Sequence, residues 1–234
     1  FSGCGDNAFG WRAGRSLFSD ICEKGKSREE GKPFALPEKN TEMRRAFAYL
    51  TTTRGISRTV LAEFIKRRMI YEDRKYHNAV FVGYDKSGVA RHAHKHGTFT
   101  GGKAFKGNEE SSDPKYSFHW TGKSGRLYVF EAPIDLLSFL TLYQKEWEQH
   151  SYVALCGLSE QGLFQMLEDV PYIRQVALCL DRDRAGLQAE ERIQKNLEGR
   201  GYREVFPLFP SGKDWNEDLQ ELMAKGRREN LQMQ

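Results

Sequence analysis

The hydrophobic and polar positions follow two different patterns, and the change falls near residue 126. Beyond that point, short apolar runs alternate with amphipathic stretches of helical period. Four apolar runs predict strands, at residues 127–130, 152–156, 176–180 and 204–208. Four amphipathic stretches predict helices, at residues 134–147, 160–168, 184–198 and 216–224. Because strands and helices alternate, we expect an α/β fold with a mainly parallel sheet and helices on both of its faces.

Two short helices are predicted before this alternating part. Residues 41–50 place apolar side chains on one helical face, with Asn40 or Thr41 as the helix cap. Gly55 breaks the pattern, and Ser57 then caps a second amphipathic helix that ends in basic residues. The two stretches together predict a small helical hairpin.

Strands follow the predicted helical hairpin. Residues 78–84 and 89–96 are rich in apolar and β-branched positions and flank the turn sequence at 85–88, which predicts a β-hairpin. Residues 97–107 are rich in Gly, Thr and Lys, which predicts a mobile loop, and residues 115–120 predict another strand. We therefore expect an α+β arrangement before residue 126.

The beginning of the chain has only weak periodicity. Residues 1–40 carry many Gly, Ser and charged residues, which predicts an irregular segment with a short helix at 16–23 and an extended linker at 32–37. The first residue is Phe1 rather than Met and no secretory apolar region follows, so we expect a fragment of a longer protein. The patterns predict three segments, at residues 1–40, 41–125 and 126–234.

The composition narrows the class of protein. With 234 residues, 29% of them charged and 12% aromatic, the chain can bury a hydrophobic core and is not typical of a disordered or fibrous protein. No apolar run approaches the roughly 20 residues of a membrane span. The four cysteines are scattered, without a zinc-knuckle pair, so we expect a reducing, cytoplasmic setting and no zinc site.

Positive charge is concentrated in the middle of the chain. Residues 86–126 contain eight Lys or Arg residues against three Asp or Glu residues, and four of the six histidines lie in the same segment. A basic segment near an acidic site favours a polyanionic partner, with nucleic acid first among the candidates. An ordinary solvated surface is the alternative explanation for such a run of charge.

Carboxylates follow three of the four strands predicted after residue 126. Glu131 ends the first strand, Asp181 and Asp183 end the third, and Asp214 follows the fourth, while Asp135 lies in the first turn of the helix after Glu131. Because parallel strands place their carboxyl ends at one edge, we expect these side chains to gather there. Clustered carboxylates are typical Mg²⁺ ligands. An isolated Asp-x-Asp pair is also typical of a solvated loop.

Two motifs among these acids carry a family resemblance. The first is Glu131-Ala132-Pro133-Ile134-Asp135, and the second, about fifty residues later, is Asp181-Arg182-Asp183-Arg184-Ala185-Gly186. The pair resembles the signature of the TOPRIM domain, which is shared by bacterial primases, type IA and type II topoisomerases, certain nucleases and recombination-repair proteins. The resemblance implies a TOPRIM domain at residues 126–234, with a mainly parallel, Rossmann-like sheet flanked by helices.

The order of elements upstream narrows this resemblance. Arg54-Gly55-Ile56-Ser57, the predicted β-hairpin and Lys115-Tyr116-Ser117 occur in the order found in the polymerase core of bacterial replicative primases. The stretch from Pro210 to Asn216 is similar to the late acidic motif of primases, with Asn216 where a second Asp is usual. Over roughly residues 41–220, the chain looks most like the primase-like TOPRIM proteins of plasmids and other mobile elements.

The resemblance implies roles for the acidic residues and for several basic ones. Glu131, Asp181 and Asp183 would be catalytic and would hold Mg²⁺ (or Mn²⁺), with Glu131 as the acid/base or metal-positioning residue. Asp135 and Asp214 would be supporting metal ligands. The candidate contacts to nucleotide or nucleic acid are Lys115, Arg91, Lys103, Lys106 and Lys213.

These features predict a Mg²⁺-dependent primase-type nucleotidyltransferase core that acts on single-stranded DNA with nucleoside triphosphates, in the replication of a plasmid or mobile element. A helicase or another replication or mobilisation protein would be its partner, and no membrane is involved. A TOPRIM metal-dependent nuclease and a non-catalytic nucleic-acid-binding module are the alternatives. The chain departs from the primase pattern at Ala132, where glycine is usual, and it shows no primase-type zinc ribbon.

Several of these residues also have a purely structural explanation. Asp135 would be favoured by the positive end of a helix, and Lys115 would suit an exposed turn. His92, His94 and His96 alternate along one predicted strand and therefore share a face. That arrangement suits a transition-metal site, but without a nearby acid or cysteine we favour a solvated or nucleic-acid-facing strand.

Overall fold

The strands form two separate sheets, one in each half of the described chain. The structure is a computed structural model that describes residues 32–102, 105–157 and 159–232. The helix predicted at residues 16–23 lies outside the described residues. The linker predicted at 32–37 carries no helix or strand, and shortly after it Lys39 forms an isolated antiparallel bridge with Asp73.

Two short helices precede the first sheet, as their apolar period predicts. Helix α1 spans Arg44–Ala48 and continues as a π-helical turn at Tyr49–Thr53, and helix α2 spans Arg58–Lys66. The apolar stripe of α2 is buried, with Leu61 and Phe64 inaccessible to solvent. The helices therefore form because they cover the core with one face.

The first sheet is antiparallel and has four strands in the order β1-β2-β3-β4. Its strands are β1 Ile70–Glu72, β2 Ala79–Tyr84, β3 Ala90–His96 and β4 Lys106–Asn108. The predicted β-hairpin is confirmed as β2 and β3. The turn that connects them is stabilised by hydrogen bonds to the carbonyl and the side chain of Asp85. This sheet is the β part of the predicted α+β arrangement.

The second sheet is mainly parallel, as the alternation of strands and helices predicts. Its order is β5-β7-β6-β8-β9, and only β5 runs antiparallel to its neighbour. Its strands are β5 His119–Trp120, β6 Arg126–Phe130, β7 Ser151–Ala154, β8 Gln175–Leu178 and β9 Glu204–Pro207. The mixed α/β class is therefore confirmed.

Helices connect the parallel strands and cover both faces of the second sheet. They are α3 Pro133–Leu142, α4 Gln161–Asp169, α5 Arg184–Gly199 and α6 Trp215–Gln232. Side chains alternate along each strand between two cores, so that in β6 Tyr128 packs in one core and Val129 in the other. The first core contains residues of α3 and α6, and the second contains residues of α4 and α5. Within the described chain, no helix is long and apolar enough to cross a membrane.

The strand order places a topological switch between β6 and β8. From β6 the chain crosses to β7 on one side, and from β7 it returns past β6 to β8 on the other side. The connections on the two sides of this point lie on opposite faces of the sheet, which leaves a crevice at the carboxyl ends of β6 and β8. Open α/β sheets bind their ligands at such switch points.

Two strands of the first sheet are absent from the sequence-based prediction. β1 follows α2 directly and pairs with β2, and β4 lies partly within residues 97–107, which were expected to form only a mobile loop. β4 pairs with β3 despite its glycine, because an edge strand needs only backbone hydrogen bonds on one side. The prediction of a loop over the whole stretch is therefore wrong at its end.

Two predicted elements are shorter than expected. The helix expected at residues 134–147 ends at Leu142, because the chain turns to bury Trp147 against Trp120 and Phe64, at ring-centroid distances of 4.6 and 5.7 Å. The strand expected at residues 115–120 is a 3₁₀ turn followed by only two strand residues. Tertiary packing of the aromatic rings thus overrides the local helical period.

The predicted cap of the first helix is also wrong. Helix α1 begins after Met43, and no side chain caps it. Asn40 instead donates from Nδ2 to Glu72 Oε1 at 2.9 Å, and the other oxygen of buried Glu72 accepts the backbone N–H of Ala46 at 2.8 Å. A carboxylate from β1 therefore satisfies a free donor of the helix, as a cap residue would.

The approach of β2 to the 3₁₀ turn generates the first testable prediction. A Cβ atom at Gly83 would lie 1.7 Å from the carbonyl oxygen of Tyr116, so we expect Gly83→Ala to lower the free energy of unfolding by about 1–3 kcal/mol or more. Urea denaturation measures this change. Gly226→Ala is the matched control, because no atom lies within 4 Å of its added Cβ and alanine favours a helix by up to about 1 kcal/mol. Equal stability of Gly83→Ala and the unmodified chain would contradict the packing.

Candidate functional site

A cleft of about 400 Å³ opens at the carboxyl ends of β6 and β8. Carboxylates from the second half of the chain line one side of it, and they are Glu131, Asp135, Asp181 and Asp214. Side chains from the first half line the other side, and they include Arg54, His94, His96 and Lys106. The cleft therefore combines a cluster of carboxylates with an arginine, a lysine and two histidines.

The two predicted motifs meet at this cleft through a direct contact. The backbone N–H of Asp181 donates to Glu131 Oε1 at 3.3 Å. Gly186 makes the contact possible, because a Cβ atom there would lie 2.1 Å from the carbonyl oxygen of Asp181 and 2.9 Å from Glu131 Oε1. Glycine at this position therefore lets α5 start close to the carboxyl end of β8.

Asp181 lies in an unfavourable electrostatic environment for a carboxylate. Its pKa is raised to about 7, chiefly by burial and then by the nearby charges of Glu131, Asp214 and Asp183, against the opposing effect of Lys213. Its Oδ1 atom is buried and has no hydrogen-bond partner among the described residues. A buried oxygen without a partner is unfavourable unless a ligand or an ion completes its coordination.

The pKa values of Glu131 and Asp135 are raised as well. Burial is the main cause for both, and Asp183 adds to it at Glu131, while Asp181 and Asp214 add to it at Asp135. A hydrogen bond from the backbone N–H of Asn216 opposes the shift at Asp135. An acid whose only role is to sit at the positive end of a helix would have a lowered pKa. At Asp135, burial near other acids therefore raises the pKa more than the helix end lowers it.

Asp183 and Asp214 have part of their bonding capacity occupied by helix ends. Asp183 caps α5, where its Oδ1 accepts the N–H groups of Ala185 and Gly186, each at 3.0 Å. Its Oδ2 lies 3.9 Å from Lys213 Nζ. Asp214 Oδ1 accepts the backbone N–H of Glu217 at 2.8 Å in the first turn of α6. Each of the two carboxylates keeps one oxygen for another contact.

These carboxylates suit a hard divalent cation in chemistry, but they are not assembled around one point. Within residues 32–102, 105–157 and 159–232, no three His, Cys, Asp or Glu side chains are placed to hold a metal ion together. The unpartnered oxygen of Asp181 and the raised pKa values are what a carboxylate cluster shows when no cation offsets its charge. The donor set therefore fits Mg²⁺ or Mn²⁺ in chemistry, and side-chain movement would be needed for the carboxylates to close around one ion.

Comparison with protein families divides the chain close to the boundary between its two sheets, with only β5 of the second sheet on the first side. Residues 128–219 match the Toprim-like family, and residues 48–124 match a family described as a protein of unknown function, DUF3991. The second half of the chain carries a Toprim-like domain. The Glu131 and Asp181 motifs both lie within it, so the predicted TOPRIM resemblance is confirmed.

Two curated relatives are themselves uncharacterised proteins. One, protein pXO2-78 of Bacillus anthracis, is 29% identical, and the alignment covers 79% of this chain and 61% of that protein. The other, the MG010 homologue of Mycoplasma pneumoniae, is 29% identical over 43% of this chain and 46% of that protein. The chain thus spans less than two thirds of the length of both relatives.

Solved structures with a similar fold are primase cores. The primase fragment of the bacteriophage T7 primase-helicase protein is 20% identical with a TM-score of 0.53, covering 74% of this chain and 72% of that one. The E. coli primase catalytic core is 18% identical with a TM-score of 0.53, covering 76% and 69%. The DnaG primase catalytic domain bound to single-stranded DNA is 17% identical with a TM-score of 0.53, covering 81% and 71%. The Toprim-like domain and the preceding sheet together therefore have the fold of a primase core.

The predicted basic contacts are divided between the cleft and other surfaces. Lys106 of β4 and Lys213 of the loop before α6 both line the cleft. Arg91 lies outside it and pairs with Asp85 in the hairpin turn, with Nε 2.7 Å from the carboxylate oxygen. Lys115 lines a separate small cavity beside α4. The structure therefore brings two of these four lysine and arginine residues to the Toprim-like carboxylates.

The basic segment at residues 86–126 does not form one continuous positive surface. Lys86 Nζ lies 3.0 Å from Asp169, and Lys95 Nζ lies 2.7 Å from Glu109. Lys103 lies outside the described residues. Ion pairs thus neutralise part of the segment, and only the positive charge that remains unpaired is available to a polyanion.

The three histidines of β3 are buried, so the solvated alternative is wrong, while the nucleic-acid-facing alternative stays a prediction. His94 and His96 face the cleft, and His94 Nδ1 lies 2.7 Å from Asn108 Oδ1. Burial lowers the pKa of His92 and of His96 to about 4, so both are neutral at pH 7. The histidines are buried because apolar residues of the facing core pack over the strand, and the sequence of the strand alone does not reveal this packing.

Sequence reasoning missed a chain of hydrogen bonds that crosses the cleft. Arg54 Nη1 donates to Asn216 Oδ1 at 3.1 Å, and Arg54 Nε donates to the Tyr49 hydroxyl at 2.7 Å. The same hydroxyl lies 3.1 Å from His96 Nδ1. Asn216 Nδ2 in turn donates to the Arg54 carbonyl and to Ser138 Oγ, at 2.8 and 2.9 Å. The primase-like motifs that contain Arg54 and Asn216 were the sequence signals for this network.

The raised pKa of Asp181 predicts a pH-dependent change in stability. Because its pKa is about 7 in the folded chain and near 4 in the unfolded chain, its stabilising contribution is present below about pH 4 and is lost as the pH rises through 7. Without divalent ions, we expect Asp181→Asn to raise Tm by about 2–4 °C at pH 8, the effect of about 1 kcal/mol in a chain of this size, and by much less at pH 4.5. Thermal denaturation in EDTA measures both values.

The control for this experiment is Glu191→Gln, which removes an exposed carboxylate from α5. We expect that variant to change Tm by less than Asp181→Asn at pH 8. A pH-independent effect of Asp181→Asn, or a lower Tm at pH 8, would contradict the electrostatic description of the cleft.

The hydrogen bonds of Asn216 explain why asparagine stands where primases usually have a second acid. A carboxylate could not donate to the Arg54 carbonyl and Ser138 Oγ, and it would add a charge beside Asp135. We therefore expect Asn216→Asp to lower the free energy of unfolding by about 1–3 kcal/mol in urea denaturation. Gln188→Glu introduces the same charge at an exposed position of α5 and should have a much smaller effect. Equal effects of the two substitutions would show that Asn216 has no structural role.

Proposed function

We propose that the chain is a Mg²⁺-dependent primase-type nucleotidyltransferase core that extends a primer on single-stranded DNA. The observation that carries the proposal is the cluster of buried and half-buried carboxylates at the β6/β8 switch point of a primase-core fold, with the buried Oδ1 atom of Asp181 left without a partner among the described residues. Raised pKa values are typical of functional carboxylates, because stability alone does not favour burying like charges together.

Mg²⁺ or Mn²⁺ would be held by Asp181 and Asp183 together with Glu131, and Asp135 and Asp214 would support these ligands. When bound, such an ion orients phosphate oxygens and neutralises the charge that develops during phosphoryl transfer. Asp183 can offer Oδ2 while its Oδ1 remains bound to the first N–H groups of α5. Its carboxylate is thereby fixed in orientation before any ligand enters.

The cations around the cleft would bind the triphosphate of the incoming nucleotide. Arg54 and Lys106 line the same cleft as the carboxylates, and Lys213 lines it from the loop before α6. Arg54 is held by Tyr49 and Asn216, which fixes the plane of its guanidinium group. A guanidinium fixed in this way suits bidentate contact with phosphate.

In the proposed reaction, the primer 3′-hydroxyl oxygen forms a bond to the α-phosphorus of the nucleoside triphosphate. The bond between the α-phosphorus and the bridging oxygen breaks, and pyrophosphate leaves. Glu131 would accept the proton of the hydroxyl, because burial raises its pKa and makes it a stronger base than an exposed carboxylate. Its contact with the Asp181 backbone holds it at the carboxyl end of β6.

The wider setting also belongs to the proposal. One similar structure is the primase fragment of a primase-helicase protein, and another is a primase domain bound to single-stranded DNA. These two likenesses support a helicase and single-stranded DNA as partners of this chain. We include a helicase or another mobilisation protein as a partner, replication of a plasmid or mobile element as the process, and the cytoplasm as the location. Arg91 and Lys115, which lie outside the cleft, would contact the nucleic acid farther from the carboxylates.

Primer extension tests the proposal directly. The whole chain is incubated with Mg²⁺, labelled nucleoside triphosphates and single-stranded DNA to which a short RNA or DNA primer is annealed, so that initiation is not required. We expect extension of the primer, reduced at least about 100-fold in the Asp181→Asn/Asp183→Asn double variant, since phosphoryl transfer relies on charge neutralisation. Glu191→Gln is the matched carboxylate control and should retain full activity.

Two outcomes would contradict the proposal. Extension that is unchanged in the double variant would exclude these carboxylates from the reaction. Mg²⁺-dependent cleavage of DNA without nucleotides, together with no extension, would instead show a TOPRIM nuclease that uses water as the nucleophile.

A further inference from the structure

A second groove, of about 610 Å³, lies on the first half of the chain. We call it the aromatic groove, because three exposed rings line it, those of Tyr76, Phe99 and Phe105. Arg45 of α1, the π-helical turn and the segment that follows β3 complete its walls. None of the residues that line it has a carboxylate. The carboxylate cleft and the family match to the Toprim-like domain do not account for this groove.

The exposure of the three rings is unusual for aromatic side chains. Tyr76 is 64% exposed, Phe99 is 73% exposed and Phe105 is 51% exposed. The glycines at 101, 102 and 107 are their near neighbours and have no side chains that could cover the rings of the two phenylalanines. Large apolar rings grouped on a surface mark a binding site more often than single exposed residues do.

The charge of the aromatic groove favours an anionic occupant. Arg45 lines it and makes no ion pair within the described part of the chain. Lys75 Nζ lies 4.8 Å from the centre of the Tyr76 ring, which lines the groove. A positively charged groove lined with stackable rings is the pattern found where proteins bind single-stranded nucleic acids.

The aromatic groove is adjacent to the carboxylate cleft. Tyr49 lines the groove, and its hydroxyl contacts Arg54 and His96, both of which line the cleft. Phe105 lines the groove and is followed directly by Lys106, which lines the cleft. The two surfaces therefore share a wall, and an extended ligand could occupy both.

We propose that the aromatic groove binds a segment of single-stranded nucleic acid and leads it to the carboxylate cleft. Bases stack on Tyr76, Phe99 and Phe105, and Arg45 contacts the backbone phosphate. Stacking on an aromatic ring tolerates any base, so the groove binds without sequence preference. Whether the bound strand is the template or the product rests on the proposed function, but the binding of the strand to the groove does not.

Fluorescence anisotropy with the whole chain tests this binding without involving catalysis. A labelled oligothymidylate of about 20 nucleotides is titrated in EDTA without nucleoside triphosphates, at a fixed salt concentration. We expect the Tyr76→Ala/Phe99→Ala double variant to bind at least about tenfold more weakly, because each stacked base contributes severalfold to affinity. An oligouridylate of the same length shows whether the groove distinguishes RNA from DNA, and stacking predicts a loss for both.

Matched variants separate stacking from unrelated effects. Tyr143→Ala removes a ring that is 56% exposed at the far end of α3 and should leave the affinity unchanged. Tyr76→Phe/Phe99→Tyr keeps both rings and should restore binding, which shows that the alanine variant lost stacking rather than its fold. Arg45→Ala should reduce the slope of log affinity against log salt by about one, as expected for one lost phosphate contact.

The outcomes distinguish this proposal from the proposed function. Unchanged affinity in Tyr76→Ala/Phe99→Ala overturns the aromatic groove as the binding site, even if the chain extends primers. Loss of binding in that variant supports the groove, even if the unmodified chain extends nothing. An equal loss for a duplex of the same length overturns base stacking, because paired bases have no free faces to offer to the rings.

Discussion

The repulsion among carboxylates that are buried or half-buried together is the constraint on which the rest of the structure depends. Asp181, Glu131 and Asp135 all have raised pKa values, with burial as the main cause and the neighbouring acids as a further one. Each would be more stable in solvent. The fold accepts this unfavourable arrangement because β6 and β8 are fixed by two hydrophobic cores, one on each face of the sheet. Stability supplied by the cores thus maintains a site that electrostatics alone would open.

The same constraint explains why the first half of the chain packs where it does. Arg54 lines the cleft, where Tyr49 and Asn216 hold its guanidinium group through two hydrogen bonds. Asn216 lies at the start of α6, in the stretch where primases usually carry another acid, and its amide donates back to the first half of the chain. Asn216 thus places a hydrogen-bonding amide where a further carboxylate would add a like charge. The contact between Asn216 and Arg54 therefore limits the number of carboxylates in the cluster.

Much of the fold could be predicted from the sequence, because the apolar periods of β6, β8 and α5 are strong and local. The two acidic motifs were also predictable, since each follows a strand whose partner strand is determined by short parallel connections. The burial of His94 and the network around Tyr49 could not be predicted, because both depend on side chains distant in sequence that pack against them. The early end of α3 likewise follows from ring packing around Trp147, which no local period records.

The position of Tyr49 connects the two surfaces physically. It begins a π-helical turn, a rare distortion that often occurs at functional sites, and its buried ring forms part of the aromatic groove. Its hydroxyl accepts from Arg54 and contacts neutral His96, so a displacement of the ring would alter the cation that faces the carboxylates. A strand seated in the aromatic groove would press on the same wall that orients Arg54. Occupation of the groove and the geometry of the cleft are therefore mechanically linked through one side chain.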